Sequence, residues 1–577
     1  MRVLAIAGVA LLVALSTATA LGQGNPLNDL FAIGLGEGDD PAAAPIERRE
    51  EPPLAPTPRA QCGPGSRPEP GVQGRVPAGS NKDGFSCNTE LVGHQGTEGG
   101  FKTLRYVDAQ GHECAFYDTT LLFPTNAANV GGGSHGVAVL DMSDPANPKK
   151  TASLEAPPMQ SPHESLALNT RRGLLAAVNG NPSTSPGLVA IYDVSKDCRQ
   201  PEMQSLAPVA RWDHESGFSE DGRTFYATST AFQSITAVDV TDPKSPHAIS
   251  HVQVTSHGMS LSDDGNRGYI ADPQGNMLIL DTSEIQARKP EPKTREISRL
   301  TWDKASIPQN AIPFTSGGKP YVLEFDEYTQ AVFDPSGDQD AVGAGRIIDV
   351  SDETKPRSVA NLRLEVNQPA EHKEAREAGD PGTSSPAQGY AAHYCNIPTR
   401  VDPKIVACSF IASGLRVFDI RDLLHPREIA YYVAPPKPDT QNGYDGSNYA
   451  MSQPAIVPER HEVWYTDGSS GFNVLRVADS VWPKSNASGG ACMARTRSRH
   501  ARVRKGARMS VRARLLSGGK PVAGAPVKLR APGVTKTVRT ARKGYAKFRF
   551  RSKRKGHATV STAVCGAQLA LRARRLR

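Results

Sequence analysis

Between Gly136 and Ser480 the chain writes one short phrase seven times. The copies are "GVAVLDMSDPANP" (Gly136–Pro148), "LVAIYDVSKD" (Leu188–Asp197), "ITAVDVTDPKSP" (Ile235–Pro246), "MLILDTSE" (Met277–Glu284), "RIIDVSDETKP" (Arg346–Pro356), "GLRVFDIRDLLHP" (Gly414–Pro426) and a degraded "GFNVLRVADS" (Gly471–Ser480). Each is a β-branched run that ends in a polar turn, and such a run fits a half-buried strand. In the turn, an Asp side chain bonds nearby backbone N–H groups and Pro fixes φ. Upstream of each phrase stands a hairpin signal, clearest in "HESGFSEDGRTFYATS" and "HGMSLSDDGNRGYIAD". Downstream stands a further strand, such as "AISHVQV" or "SVANLRLEV". Four short strands in a period of roughly 40–50 residues make a propeller blade. The chain therefore reads as all-β, a seven-bladed β-propeller over residues 87–482. The segment "TELVGH" (Thr89–His94) is placed as the outer strand of blade seven, where it closes the ring and removes two exposed edges.

The phrase "VLDMSDPANP" and its copies resemble LVIVD repeats, found in secreted bacterial proteins expected to be propellers. The resemblance covers about Cys87 to Ser480. It implies the fold and no single activity.

The 577 residues exceed one ordinary domain. Residues 1–20 have the form of a secretory signal peptide: Met1-Arg2, the apolar "VLAIAGVALLVAL", then small residues at Ala18–Ala20. No later apolar run is long enough to span a membrane. The expectation is an exported protein, secreted or associated with the cell wall, without a transmembrane segment. Eight cysteines suit an oxidising compartment. Connectivity does not follow from sequence; nearness makes Cys62–Cys87 and Cys395–Cys408 the first choices. Residues 21–86, rich in Pro, Gly, Ala and charge, read as a disordered linker, because few large apolar side chains are there to offset the ordering entropy.

The net charge of +8 hides a division. Ala494–Arg577 carries 26 Lys and Arg and no Asp or Glu, leaving 41 basic and 59 acidic residues elsewhere, a net of −18. Residues 483–577 alternate apolar and polar residues between Gly/Pro turns, which reads as a small β-sandwich. "SGGKPVAGAPVKLR" and "TARKGYAKFRF" resemble bacterial Ig-like modules, which Cys492 and Cys565 bracket and are placed to staple. Unopposed positive charge points to an anionic partner, a cell-wall polymer or surface. No motif for specific nucleic-acid recognition accompanies it.

A His-Glu pair recurs at intervals of 51 residues: His112-Glu113, His163-Glu164 and His214-Glu215. Aligned on the first strand of each blade, the leading residues are His112, His163, His214, His257, Gln309, His393 and Gln453. First strands line a propeller's axis, so these residues are expected to ring one mouth of the channel. His163, His214, His257 and His393, with His112 as a further candidate, form a candidate site for a divalent transition metal (Cu, Zn or Fe). Glu164 and Glu215, with Glu113, are candidates to orient the rings. The competing reading is structural: copied polar residues at a wet channel mouth, bonded to carbonyls of the next blade.

Other chemistry is sparse. The chain has no His-Glu-x-x-His and no Gly-x-Ser-x-Gly. "GGGSHG" (Gly131–Gly136) reads as a turn, "DPSGDQD" (Asp334–Asp340) as a solvated loop rather than a calcium loop, and "NAS" (Asn486–Ser488) as a sequon between domains. The leading functional expectation is a non-enzymatic binding or scaffold protein whose propeller face takes a protein or polysaccharide. The alternative is a metal-dependent enzyme, an oxidoreductase or hydrolase, using the axial histidines.

Overall fold

In the computed structural model, the described residues are 47–48, 51–483 and 501–575, with internal gaps chiefly at 120–135, 180–186, 230–232, 333–336, 385–388, 436–448 and 563–567. They divide into two units, Met1–Trp482 and Pro483–Arg577. The signal-peptide reading, "GGGSHG" up to His135, the sequon, Cys492 and Cys565 lie outside the described residues.

The first unit is a seven-bladed propeller. Six blades are built on four consecutive antiparallel strands, and the seventh on three, Ala455–Val457, Glu462–Asp467 and Gly471–Val477, completed by Thr89–Gln95. The innermost strands, in blade order, are Thr103–Val107, Ala167–Asn169, Glu215–Phe218, Gly258–Leu261, Ile307–Ser316, Ala392–Asn396 and Ala455–Val457. The repeated phrase supplies the third strand of each blade. Its turn works as its sequence demands: the side chains of Asp141, Asp193, Asp239, Asp281, Asp349 and Asp419 each accept the backbone N–H two residues on. Gly222 and Gly265 hold φ of +69° and +73° in the Asp-Gly turns. Thr89–Gln95 pairs antiparallel with Gly471–Val477 of blade seven and closes the ring, as expected. Between blades, buried aliphatic and aromatic faces meet, for example Leu174, Val178, Val189 and Ile191 of blade two against Phe225 and Val238 of blade three. Such burial contributes roughly 1.5–3 kcal/mol per large side chain.

Disulfides join Cys62 to Cys87, Cys114 to Cys198 and Cys395 to Cys408. The first and third are the pairs chosen from sequence. The second ties blade one to blade two.

The reading of 21–86 as a disordered linker fails over the described residues of 51–86, which lie along blades five and six. Here Arg416 is wholly buried between Glu69 at 2.6 Å and Glu428 at 3.1 Å, with its guanidinium over the Tyr431 ring. Gln73 donates to Glu428, and Arg75 pairs with Asp380 at 2.8 Å. Thr57 N–H donates to the Arg363 carbonyl. Phe85–Cys87 then pairs with Arg427–Val433, adding a fifth strand to blade six. Composition misjudged this arm because polar and charged side chains, complemented by the propeller, do the work usually assigned to apolar ones.

The second unit contains two sheets, one ordered Ala501–Val503, Gly556–Thr562, Pro526–Ala531, Val534–Arg539, the other built on Arg508–Ser517 with Lys520–Pro521, Tyr545–Arg551 and Gln568–Arg575. Met509, Val511, Leu515, Val527, Leu529, Phe548 and Phe550 share one core. Among the described residues, no helix is long and apolar enough to cross a membrane.

Candidate functional site

The seven inner strands pack side by side around the axis, with blades seven and one meeting at a parallel bridge between Gln453 and Lys102. Two of these strands carry a bulge. Pairing skips Gln309 between Pro308 and Asn310, and skips His393 between Ala392 and Tyr394. A bulge re-aims the extra residue, and here both extra residues enter the axial cluster. His163 enters it with a strained φ of +50°.

Three imidazoles turn Nε2 toward two carboxylates. His257 Nε2 lies 2.7 Å from His214 Nε2 and 3.3 Å from Glu327 Oε1. Glu164 Oε2 lies 3.2 Å from His214 Nε2 and 3.7 Å from His257 Nε2. His393 Nε2 sits 3.0 Å from Glu164 Oε1 and 3.1 Å from Glu327 Oε2. The far nitrogens fix the tautomers: Nδ1 of His257 lies 2.9 Å from the Pro308 carbonyl and Nδ1 of His393 lies 2.6 Å from the Met451 carbonyl. A carbonyl only accepts, so each Nδ1 carries the proton and donates it. Of the neutral rings, Nε2 is then a bare lone pair, as a metal ligand must be. Gln309 Nε2 donates to Glu164 Oε2 at 2.6 Å and to Tyr394 Oη at 2.8 Å. Phe101 covers His163 and His393, with ring centroids 4.9 and 5.5 Å away.

The electrostatics follow from this crowding. Burial and the neighbouring His214 push His163 and His257 down to about 3, so both are neutral. For His393 burial also opposes charge, but the carboxylates of Glu164 and Glu327 outweigh it and raise the ring to about 10. Burial works against ionised Glu164 too, yet His214 and His393 hold it well below the usual carboxylate range. Burial raises Glu327, with His393 opposing. Without another cation, the protonated His393 ring is the charge that balances the two carboxylates.

Residues one step along the inner strands line a cavity of about 190 Å³. Its lining includes Lys102, Glu215, Ser216, Ser260, Asn310 and, from blade six, Arg400. Glu215 Oε1 accepts from Lys102 Nζ and Asn310 Nδ2, both at 2.6 Å. Burial raises Glu215 to about 7, against the pull of Lys102. Gly258 follows His257 where two other blades have His-Glu; a Cβ there would overlap the Glu215 carboxylate.

His163, His214, His257 and His393 thus converge, as the repeat position implied. His112 does not. It precedes the second strand of blade one, Glu113–Asp118, and its Nδ1 lies 2.9 Å from Asp108 Oδ2. The sequence alignment matched the second strand of that blade to the first strands of the others; Lys102 stands at the axis instead. Glu113 pairs with Arg105 and Arg460. Glu164 touches imidazoles directly, whereas Glu215 faces the cavity and orients no ring. Gln453 lines the cavity. In "DPSGDQD", Asp338 pairs with Lys304, and Asp340 with His372 and Arg376, so these carboxylates are already matched by cations. Sequence reasoning missed Glu327, Tyr394, Lys102 and Asn310. The one signal for Glu327 is the acidic "EFDEY" that ends an apolar strand of blade five.

No family model and no curated protein matches the chain. Several solved structures resemble it. Hydrazine synthase of Kuenenia stuttgartiensis is 13% identical, the match covering 67% of this chain and 97% of that one with a TM-score of 0.42. The periplasmic gluconolactonase PpgL of Pseudomonas aeruginosa is also 13% identical, covering 60% and 96%, with a TM-score of 0.39. A functionally unknown protein from Desulfotomaculum acetoxidans gives 12%, 58% and 89%, and 0.37. These are likenesses of fold alone.

Proposed function

We propose that the axial cluster binds a first-row transition metal and that the propeller is a metal-dependent enzyme acting on a small molecule admitted to the axial cavity. One observation carries this reading: His257 and His393 commit Nδ1–H to main-chain carbonyls and turn Nε2 onto the buried carboxylates of Glu164 and Glu327. The structural alternative accounts for the Nδ1 side of each ring. On the other side a protonated His393 pairs with both carboxylates, but the neutral His257 turns its Nε2 toward Glu327 and Glu164, an arrangement that a metal cation between them would stabilise. A mixed imidazole–carboxylate set without thiolate suits zinc, iron or copper. Iron or copper would suit oxidoreductase chemistry, and zinc would suit hydrolysis. The scaffold expectation is the reading to which a metal-free cluster returns. Protein purified without chelators should carry a first-row metal in at least stoichiometric amount by elemental mass spectrometry. If it carries none, and takes up none when supplied with Cu, Zn and Fe, the enzyme reading is lost.

We read the propeller as LVIVD-type and exported, which the signal-peptide pattern and the three disulfides support. The second unit we read as an Ig-like module for anionic cell-wall polymer. The support is its Arg508–Ser517 sheet, where Arg508, Arg512, Lys547, Arg549 and Arg551 are exposed on paired strands. Binding to long-chain polyphosphate should fall by roughly 10³ between 50 and 200 mM salt, as counterion release requires for several phosphate contacts. A fluorescence titration that shows no salt dependence would remove this role.

A further inference from the structure

The two carboxylates of the axial cluster are arranged for a pair of ions rather than one. We infer that Glu164 and Glu327 bridge two metal ions, one on the His163, His214 and His257 side and one on the His393 side. The inference rests on the metal reading above and adds its stoichiometry.

The argument lies in how each oxygen is used. Glu164 faces His393 with Oε1 and faces His214 and His257 with Oε2. Glu327 faces His393 with Oε2 and His257 with Oε1. Both carboxylates therefore span the same two groups of imidazoles, one oxygen to each. A single ion would draw the two oxygens of a carboxylate, or one of them, toward one centre. Donor atoms also gather in two sets that share one residue. Those of His163, Glu164 and His214 lie within 4.8 Å of one another, and so do those of Glu164, Glu327 and His393.

Unused donors stand on both sides. Nδ1 of His163 is buried without a hydrogen-bond partner. His393 Nε2 and Glu327 Oε2 lie 3.1 Å apart as a charged pair without the geometry of a good hydrogen bond. All of these side chains are at least nine-tenths buried, where an unmatched polar group is costly. An ion on each side satisfies both sets. Two carboxylate bridges set paired ions about 3.5–4 Å apart. The His393 side then has three protein donors, which leaves coordination positions for water or substrate, the mark of a reactive rather than a structural site.

The test is ion stoichiometry in the full chain. Protein stripped with chelator, reloaded separately with Zn, Fe(II) or Mn(II) and desalted should hold two ions per chain with at least one of these metals. Anomalous scattering from crystals should give two peaks. One ion per chain with every metal overturns the pair and leaves the metal reading standing; none overturns both. Glu327→Gln keeps the shape of the side chain and removes a bridging charge, so it should drop the count from two to one. His393→Gln should do the same if Glu327→Gln fails to fold. Two ions retained in a folded variant of either kind would overturn the bridging assignment.

Discussion

Alanine at His257 should cost the axial cluster its metal while leaving the propeller assembled. The ring contributes one hydrogen bond to the frame, Nδ1–H to the Pro308 carbonyl. Losing it leaves a buried carbonyl unpaired, at a cost of about 1–3 kcal/mol, which seven blades closed by Thr89–Gln95 should tolerate. The backbone of His257 is anchored separately, its N–H donating to the Ala271 carbonyl and its carbonyl accepting from Thr228. For the ion the change is larger. Removing a hydrogen-bond partner of a ligand alone typically costs 10–100-fold in affinity, so removing the ligand should cost more than about 10²-fold. Metal content after desalting, with circular dichroism as the control for folding, reads the result. Free imidazole at millimolar concentration should restore part of the binding by entering the vacated space. Unchanged affinity in a folded variant would mean that His257 is a frame residue, and the axial cluster would need another account.

The histidines are legible because repetition alone assigns them a common place. In blades three and four a His immediately precedes the inner strand, in blade two it stands a short way ahead of Ala167–Asn169, and a repeat that folds seven times sends equivalent positions to one axis. The same logic fails at His112 because blade one carries its His-Glu at the head of the second strand, and a hairpin offers two such heads. Glu327 is not legible for a different reason. It ends the second strand of blade five, a position that ordinarily lies off the axis. It reaches the cluster where Pro308 and Asn310 flank a bulge in the partner strand, and no local pattern in the sequence announces that bulge. Blade architecture, being periodic, can be read from period alone. The second carboxylate, the Lys102–Glu215–Asn310 group and the arm of residues 51–86 depend on single, non-repeated contacts between segments far apart in sequence, and composition does not record them.

That arm sets up the largest expected loss of stability. Arg416→Ala should destabilise the propeller by about 3–5 kcal/mol, the range for breaking a buried ion pair by removing one partner. Arg416, Glu69 and Glu428 are all buried, and the guanidinium reaches both carboxylates. Burial and Glu69 push Glu428 upward, and Arg416 is the counter-charge that opposes them. Without it, two carboxylates face each other in the interior and must take up a proton or separate. Separation is open to only one of them. Glu428 is fixed within the outer strand of blade six, Arg427–Val433, whereas Glu69 belongs to the arm. The arm should therefore peel away from blade six, exposing residues 51–86 to protease at concentrations that spare the wild-type chain. All four tryptophans, at 212, 302, 464 and 482, lie in the first unit, so denaturant unfolding followed by tryptophan fluorescence reports on the propeller without interference from the basic module. Replacing the triad with apolar residues, Glu69→Leu, Arg416→Met and Glu428→Leu together, should recover much of the loss, because a matched apolar group avoids the desolvation of three charges. A midpoint for Arg416→Ala within the wild-type error, with the arm still resistant to protease, would show that polar complementarity is not what holds this segment in place.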